Sequence, residues 1–252
     1  MELILSIFPG IDLLGRGFES EGFSVVRGPD LLWGGDIRTF HVPARRFDGV
    51  IGGSPCQDFS GANRNPTGES LELLHEFERV VCSARPAWFL LENVPRVPNV
   101  SVSGYSIQRL DLNARECGMR QVRLRHFQFG SLDGSVISPV RVAPIGKPER
   151  IVLASEGAKV DRRSWSDFCE LQGLPRDFDL SMSVTAKYKA VGNGVPVPMA
   201  RVLARAITNR LSSQSALCVC GCGRLVQGRQ VMALPACRKR MERRRSVTQL
   251  SV

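Results

Sequence analysis

The sequence predicts an α/β fold in which helices cover both faces of a parallel β-sheet. Short apolar segments alternate with glycine-containing turns and with segments of helical periodicity along residues 3–91. Polar or reactive side chains follow several apolar segments, as expected when a ligand binds at the carboxyl ends of the strands. Four closely spaced cysteines near the end of the chain predict a small additional module.

Each predicted element has its own signal in the sequence. Continuous apolar residues predict strands at residues 3–8, 23–26, 47–51 and 88–91. Apolar residues with helical spacing predict helices at residues 11–21, 71–83 and 199–211. Glycine and proline separate these segments, as in Pro9-Gly10 and Gly28-Pro29, and predict turns there.

Composition excludes several classes of protein. No continuous run of 18 or more apolar residues is present, which argues against a transmembrane helix. The first residues contain neither a basic leader nor a signal-cleavage site and are expected to form a strand. We therefore expect no membrane partner and a cytoplasmic, reducing location, in which the eight cysteines would not form disulfides.

Basic residues are concentrated at one end of the chain. The formal net charge is +10, and residues 201–252 contain 11 lysines and arginines but a single acidic residue, Glu242. A neutral body with a basic terminus favours a polyanionic partner, most simply nucleic acid. The alternative is a solvated, disordered tail.

The basic terminus also contains a group of four cysteines. Four thiolates suit a tetrahedral zinc ion, and glycines between the cysteines permit tight turns. The spacing differs from a standard Cys-x-x-Cys pair, so thiols without a metal are the alternative. The predicted zinc ligands are Cys218, Cys220, Cys222 and Cys237. Polar residues at 211–216 predict a short linker before this module.

A further cysteine ends the turn that follows the third predicted strand. Residues 51–60 read Ile-Gly-Gly-Ser-Pro-Cys-Gln-Asp-Phe-Ser. The Pro55-Cys56-Gln57 core resembles the nucleophile loop of DNA cytosine-5 methyltransferases. An isolated cysteine in such a place would more often be buried and unreactive. The resemblance therefore depends on the presence of other motifs of that family.

Those motifs follow in the order that the family has. They are Glu-Asn-Val at residues 92–94, Gln-x-Arg-x-Arg at 121–125, Leu-Gln-Gly-Leu-Pro at 171–175 and Gly-Asn-Gly-Val-Pro at 192–196. The resemblance covers residues 3–211. It implies a Rossmann-like sheet of the S-adenosylmethionine-dependent methyltransferases, with transfer of a methyl group to carbon 5 of cytosine in DNA.

The resemblance assigns catalytic roles to four residues. The Cys56 thiolate would add to carbon 6 of a cytosine flipped out of the duplex. Glu92 would bond the ring nitrogen N3 and the exocyclic amine, and Arg123 would hold the O2 atom. Arg123 or Arg125 could also supply a positive field. Because an ordinary thiol is only about 3% ionised at pH 7, the loop must lower its pKa or hold a proton acceptor nearby.

The resemblance also implies a binding site for S-adenosylmethionine. The family's glycine loop corresponds to residues 6–13, where Gly10 is retained but Ser6, Asp12 and Leu13 replace an acid and two glycines. Asp30 is expected to bind the ribose hydroxyls or, alternatively, to act as a turn residue beside Pro29. The other expected cofactor contacts are Phe8, Ile11, Asp36, Ile37, Pro55, Leu73, Asn193 and Val195.

Contacts with DNA are expected from the nucleophile loop and from a target-recognition region at residues 131–163. This region is short for the family, and its basic residues could contact phosphates or guanine edges. The expected DNA contacts are Gln57, Ser60, Arg141, Lys147, Arg150, Arg162 and Arg163.

The resulting expectation is a monomeric DNA (cytosine-5) methyltransferase of a bacterium or phage-infected host, acting on double-stranded DNA. Its expected parts are a core at residues 1–130, the target-recognition region, the rest of the core at 164–211 and the basic cysteine-rich tail at 212–252. Two alternatives remain, a methyltransferase acting on transfer RNA and an inactive DNA-binding protein with a zinc tail. The Gly10-x-Asp12 sequence departs from the fingerprint of dinucleotide-binding oxidoreductases.

Overall fold

The computed structural model describes most of the chain. The described residues are 1–59, 65–211, 217–220, 222, 224, 226, 230–239 and 241–242. Ser60, the predicted linker at 212–216 and several arginines of the tail lie outside them. We refer to the described residues between 217 and 242 as the cysteine module.

The described residues form one mixed sheet of six strands in the order β2-β1-β3-β4-β6-β5. The strands are β1 (Leu3–Ile7), β2 (Ser24–Arg27), β3 (Gly49–Gly52), β4 (Trp88–Asn93), β5 (Ser106–Asn113) and β6 (Leu124–Ser131). The first four pair in parallel, which confirms the predicted α/β class. The central strands are apolar because both faces of the sheet are covered.

The four predicted strands pair in parallel, and two strands that were not predicted extend the sheet at one edge in the antiparallel sense. Strand β6 pairs antiparallel with β4, and β5 pairs antiparallel with β6. Residues 114–123, which include the single-turn helix Ala114–Glu116, connect β5 to β6. A connection this short lacks the length of a parallel crossover, so the two strands run in opposite directions.

Helices pack on both faces of the sheet. The α-helices of the described residues are α1 (Leu13–Glu19), α2 (Glu69–Ala84), α3 (Trp165–Leu171), α4 (Val184–Asn193) and α5 (Val197–Thr208). Helices α3 and α4 pack against each other in a separate apolar cluster around Phe168 and Tyr188. Helices α1 and α5 share an apolar cluster with Trp88 and Phe127 on one face. Helix α2 packs Leu74 and Phe77 against Leu91 on the other face. The two clusters hold the ends of β1, β3 and β4 in fixed positions, which is what a site at this edge requires.

The target-recognition region, all of which the structure describes, is irregular apart from the end of β6 and the single-turn helix Glu156–Ala158. Single parallel bridges join it to the preceding segment at Cys117–Val142 and Gln121–Glu149. None of the helices in the described residues has the length and hydropathy needed to cross a bilayer.

Candidate active site

Cys56 lies in the loop that follows β3, and this loop packs against the end of β4. Its backbone lies so close to Glu92 that a methyl group placed on Gly53 would be 2.8 Å from Glu92 Oε2. Glycine is therefore the residue that fits this approach. Cys56 itself is half-buried in this loop.

Asn93 at the end of β4 fixes the same loop. Its Nδ2 atom donates hydrogen bonds to the carbonyl oxygen and to the hydroxyl of Ser54, both at 3.1 Å. Its Oδ1 atom accepts from the backbone N–H of Val94 at 2.8 Å. Because Asn93 is buried, these bonds satisfy its amide and set the position of the Ser54–Pro55–Cys56 turn.

Glu92 forms an ion pair with the second arginine of the Gln-x-Arg-x-Arg motif. Arg125 Nε lies 3.0 Å from Glu92 Oε1, and only 14% and 11% of the two side chains are exposed. Burial raises the pKa of Glu92, while the charges of Arg125 and Arg123 act in the opposite direction. Burial thus favours the neutral form of a carboxyl group that lies within hydrogen-bonding distance of Arg125.

Arg123 is bound by backbone carbonyls, and its predicted contact with a cytosine stays a prediction. Its guanidinium is fully buried and donates to the carbonyl oxygens of Val152 at 3.2 Å, Gly192 at 2.9 Å and Gly194 at 3.1 Å. Burial, followed by the charge of Arg125, lowers the pKa of Arg123 to about 9. The two arginines therefore bind different partners. Arg125 contacts Glu92, and Arg123 joins the start of β6 to the Gly-Asn-Gly motif.

The Cys56 thiol is held in its protonated form. Burial is the largest cause that raises the pKa of Cys56, and the charge of Glu92 raises it further. Arg125 and Arg123 lower this pKa, but their effect is the smaller one. The sequence led us to expect either a lowered pKa of Cys56 or a proton acceptor near it. The protein by itself does not lower this pKa.

The predicted cofactor loop follows β1 in an unusual backbone conformation. Phe8, Gly10 and Asp12 all have positive φ angles near 55°. The N–H of Gly10 donates to Asp30 Oδ2 at 2.8 Å, and the indole Nε1 of Trp33 donates to the Gly10 carbonyl at 2.7 Å. Asp30 Oδ1 also accepts from Leu32 N at 2.8 Å, which is the turn role considered above. Its contact with a ribose stays a prediction.

Asp12 explains how the loop differs from the family's glycine pattern. Its buried carboxylate accepts from the Ser6 hydroxyl at 2.8 Å and from Gly15 N at 2.9 Å, and it pairs with Arg27 Nε at 2.9 Å. The residue thereby caps α1. Burial raises its pKa, and the bond from Ser6 is the largest opposing cause. Sequence reasoning recorded Ser6 and Asp12 as two separate departures and missed that they form one contact.

The remaining predicted cofactor residues divide between core and surface. Ile37 and Leu73 are buried in one apolar cluster, against which Phe8 packs, and Ile11 and Val195 are buried in two others. Asp36 caps a single-turn helix by accepting from Arg38 N at 2.9 Å. Asn193 is exposed, and Pro55 is half-buried beside Cys56.

The predicted DNA contacts differ in how available they are. Gln57, Lys147, Arg150 and Arg162 are exposed. Arg163 pairs with Glu156 at 2.7 Å. Arg141 donates to Glu116 and to the Cys222 carbonyl, so its guanidinium is already bound within the chain. Ser60 lies outside the described residues.

The four tail cysteines form one compact cluster. Their sulfur atoms all lie within 4.8 Å of one another, and all four side chains are buried. Two of the sulfur pairs are 3.4 and 3.9 Å apart. Tetrahedral zinc with four thiolates at 2.3 Å requires a separation of about 3.8 Å. The backbone N–H of Ala233 donates to Cys218 Sγ at 3.2 Å. The donor set thus fits a structural metal.

Comparison with known families decides what this arrangement belongs to. The model of the C-5 cytosine-specific DNA methylases matches residues 34–150 and 162–209, more than half of the chain. The chain belongs to the C-5 cytosine-specific DNA methylase family. This confirms the resemblance found in the sequence.

Two bacterial type II methyltransferases are similar to part of this chain. Type II methyltransferase M.HgiDI of Herpetosiphon aurantiacus is 29% identical over 164 residues, 52% of this chain and 53% of that protein. Type II methyltransferase M.HindV of Haemophilus influenzae is 33% identical over 160 residues, 51% of this chain and 53% of that protein. The chain therefore spans about half the length of these curated relatives.

Solved structures support the fold. Entamoeba histolytica methyltransferase EhMeth superimposes with a TM-score of 0.64 at 12% identity, covering 83% of this chain and 98% of that one. The S. pombe Dnmt2 methyltransferase gives a TM-score of 0.57 at 12% identity, covering 83% and 99%. The fold is thus the Rossmann-like sheet of this family of methyltransferases.

Proposed function

We propose that this chain transfers a methyl group from S-adenosylmethionine to carbon 5 of cytosine in double-stranded DNA. The observation that carries the proposal is the position of the Cys56 loop. This loop packs against Glu92, which in turn pairs with Arg125. A nucleophile, a carboxyl group with a raised pKa and a cation lie together at the carboxyl edge of the sheet. Family membership supplies the reaction type.

Cys56 is the proposed nucleophile. Its sulfur forms a bond to carbon 6 of the extruded cytosine, and the displaced electron pair makes carbon 5 nucleophilic. S-adenosylmethionine supplies the electrophilic methyl group. Loss of the proton from carbon 5 then re-forms the double bond and expels the Cys56 thiolate. Because the free thiol is protonated, substrate binding must displace water and bring a proton acceptor to Cys56 before the bond forms.

Glu92 and Arg125 are the proposed contacts of the base. A carboxyl group whose pKa is raised by burial can donate to N3 of cytosine and accept from the exocyclic amine. Arg125, which already contacts Glu92, is better placed than Arg123 to reach O2 of the same ring. Arg123 is proposed as a positioning residue, since three backbone carbonyls bind its guanidinium.

The proposed cofactor site lies at the turns after β1 and β2. Gly10 has a positive φ angle, and a methyl group placed on it would meet no atom within 4 Å, so the loop faces open space. The bond between Gly10 N and Asp30 places the two turns side by side. Phe8, Asp30, Asp36 and Ile37 would line a cofactor held there.

The cysteine cluster is proposed to hold a structural zinc ion. Four buried thiols at tetrahedral separation, one accepting a backbone N–H, have the composition and geometry that zinc requires. Exposed Arg238 and Lys239 follow Cys237 and would contact DNA phosphates.

The test of the function is a covalent trap. Duplex DNA containing 5-fluorocytosine, supplied with S-adenosylmethionine, should become attached to the protein, because fluorine at carbon 5 cannot leave as a proton does. Cys56→Ala should form no adduct and transfer no methyl group, yet still bind DNA. Cys82→Ala, at an exposed cysteine on α2, is the matched control and should react normally.

The same assay separates the alternatives. Methyl transfer to transfer RNA but not to duplex DNA would make the chain an RNA methyltransferase. Absence of any adduct, together with retained DNA binding, would make it an inactive DNA-binding protein. Normal turnover by Cys56→Ala would contradict the covalent mechanism.

A further inference from the structure

Glu116, between β5 and β6, is the centre of a polar network that joins three separate segments. Its Oε1 atom accepts from Arg141 Nε at 3.0 Å and from Arg224 Nη2 at 2.5 Å. Its Oε2 atom accepts from Asn113 N at 3.0 Å within a capping box. One carboxylate thus binds the core, the target-recognition region and the cysteine module.

A second contact joins the cysteine module directly to the target-recognition region. Arg141 Nη2 donates to the carbonyl oxygen of Cys222 at 2.8 Å. Arg141 therefore bridges a carboxylate of the core and the backbone of a predicted metal ligand. Only 16% of its side chain is exposed, so it is poorly available to a DNA phosphate.

The backbone beside Arg141 is attached to the core at the same place. The N–H of Val142 donates to the carbonyl oxygen of Glu116 at 2.7 Å. Further along, Glu149 N donates to the Arg120 carbonyl at 2.9 Å. Residues 139–150 are held by these bonds and the side-chain network, because they lie outside the sheet.

We infer that the cysteine module is a metal-dependent brace for residues 139–150 of the target-recognition region, and that Glu116 is the residue through which it acts. This inference rests on the proposed function, which supplies both the zinc ion of the module and the DNA that the region would contact. The module packs few apolar side chains, Val226, Met232, Ala233 and Met241 among the described residues. Such a small module depends on its metal to fold. Loss of the metal then removes the fixed positions of Cys222 O and Arg224.

The brace gives a reason for the short target-recognition region. An irregular segment that reads DNA must be held rigid, because ordering it on binding would reduce affinity. In this chain part of the support comes from outside the region, because Glu116 and the Cys222 carbonyl bind Arg141. Arg141 is thus assigned a positioning role, whereas the exposed Lys147 and Arg150 stay available for phosphate contact.

Hydrogen exchange of the full chain tests the brace without requiring activity. Removing zinc with a chelator should speed amide exchange of residues 139–150 about tenfold, while β1 and β3 are unchanged. Glu116→Gln and Arg224→Gln, compared in samples whose measured zinc content equals that of the unaltered protein, should show the same acceleration. Chelation should add little to the effect of either variant, because both act on one network.

Glu21→Gln is the matched control. Glu21 also accepts from two arginines, Arg201 at 2.8 Å and Arg205 at 2.7 Å, but lies beside α5. This variant should leave exchange of residues 139–150 unchanged. DNA affinity should fall severalfold in Glu116→Gln and stay unchanged in Glu21→Gln.

The outcomes separate the brace from the proposals beneath it. A protein that binds no zinc refutes the metal site and with it the brace. If the protein binds zinc but residues 139–150 exchange at the same rate in the zinc-bound protein, the chelated protein and both variants, the brace alone is refuted. Altered exchange with no methyl transfer to DNA supports the brace and contradicts the proposed function.

Discussion

Burial controls the ionisation of the residues around Cys56. Glu92 and Cys56 both have raised pKa values, and in each case loss of solvent is the largest cause. Arg125 partly compensates both shifts, since its positive charge favours carboxylate and thiolate. Burial therefore favours the neutral forms of both the Cys56 thiol and the Glu92 carboxyl group.

Arg125→Gln should shift the reactivity of Cys56 to higher pH. Removing the positive charge raises the pKa of Cys56 further, so less thiolate is present at any given pH. Alkylation of Cys56 by iodoacetamide, followed by mass spectrometry between about pH 6 and pH 10, measures the shift. The exposed Cys82 in the same sample is the control and should show the same profile in both proteins. An unchanged Cys56 profile would contradict the assigned role of Arg125.

Residue identity was predictable where the chemistry is local. Cys56 follows strand β3 and Glu92 lies near the end of β4, each in a recognisable string, and the structure brings the Cys56 loop against Glu92. The different contacts of Arg123 and Arg125 were not predictable from the sequence. Two arginines separated by one residue look equivalent in a sequence, yet one meets three carbonyls and the other a carboxylate.

Helices α1 and α5 pack more closely than ordinary helix pairs. A methyl group on Gly17 would lie 2.3 Å from Ala200 Cβ and 3.0 Å from Arg201 N. The glycine therefore allows the backbones of the two helices to approach. This contact supports β1 and the cofactor loop that begins at its end.

Gly17→Ala should destabilise the protein by about 1–3 kcal/mol, because overpacking outweighs the gain in helix propensity of about 1 kcal/mol. Urea unfolding at equilibrium measures the change. Ala200→Gly in the same chain should restore part of the loss, since it removes the opposing methyl group. Arg16→Ala, at an exposed position of the same helix, should change stability by less than about 1 kcal/mol. A neutral or stabilising effect of Gly17→Ala would contradict the close packing.

Element boundaries show a similar limit of sequence reasoning. Helix α1 begins at Leu13 rather than at residue 11, because Asp12 adopts a left-handed conformation and caps it. Strand β5 was not predicted, since Gln108 and Arg109 interrupt the alternation of its apolar residues. Its pairing with β6, a contact between separate segments, defines it.

The molecule as a whole combines a sheet with a separately stabilised module. Apolar clusters on both faces hold the sheet, whereas four sulfur atoms form the centre of the cysteine module. The contacts of Glu116 and Arg141 join the two parts. We therefore expect the sheet to tolerate removal of a metal better than the cysteine module does.

Protein purified without chelator should contain about one zinc ion per chain, and Cys220→Ser should lose it. S-adenosylmethionine binding should persist in Cys220→Ser, because the cofactor loop belongs to the sheet. Elemental analysis measures the metal, and calorimetry measures cofactor binding. Cys82→Ser is the control and should retain both. Absence of zinc from the unaltered protein would refute the metal site.

The sequence by itself determined the family, the α/β class and the grouping of cysteines, because these depend on residue type, spacing and order along the chain. Tertiary structure decided which arginine meets Glu92, how Asp12 bonds to Ser6, and that Glu116 joins the core to the cysteine module. The physical reason is that these contacts depend on side-chain direction and on burial. Both arise only when distant segments pack together.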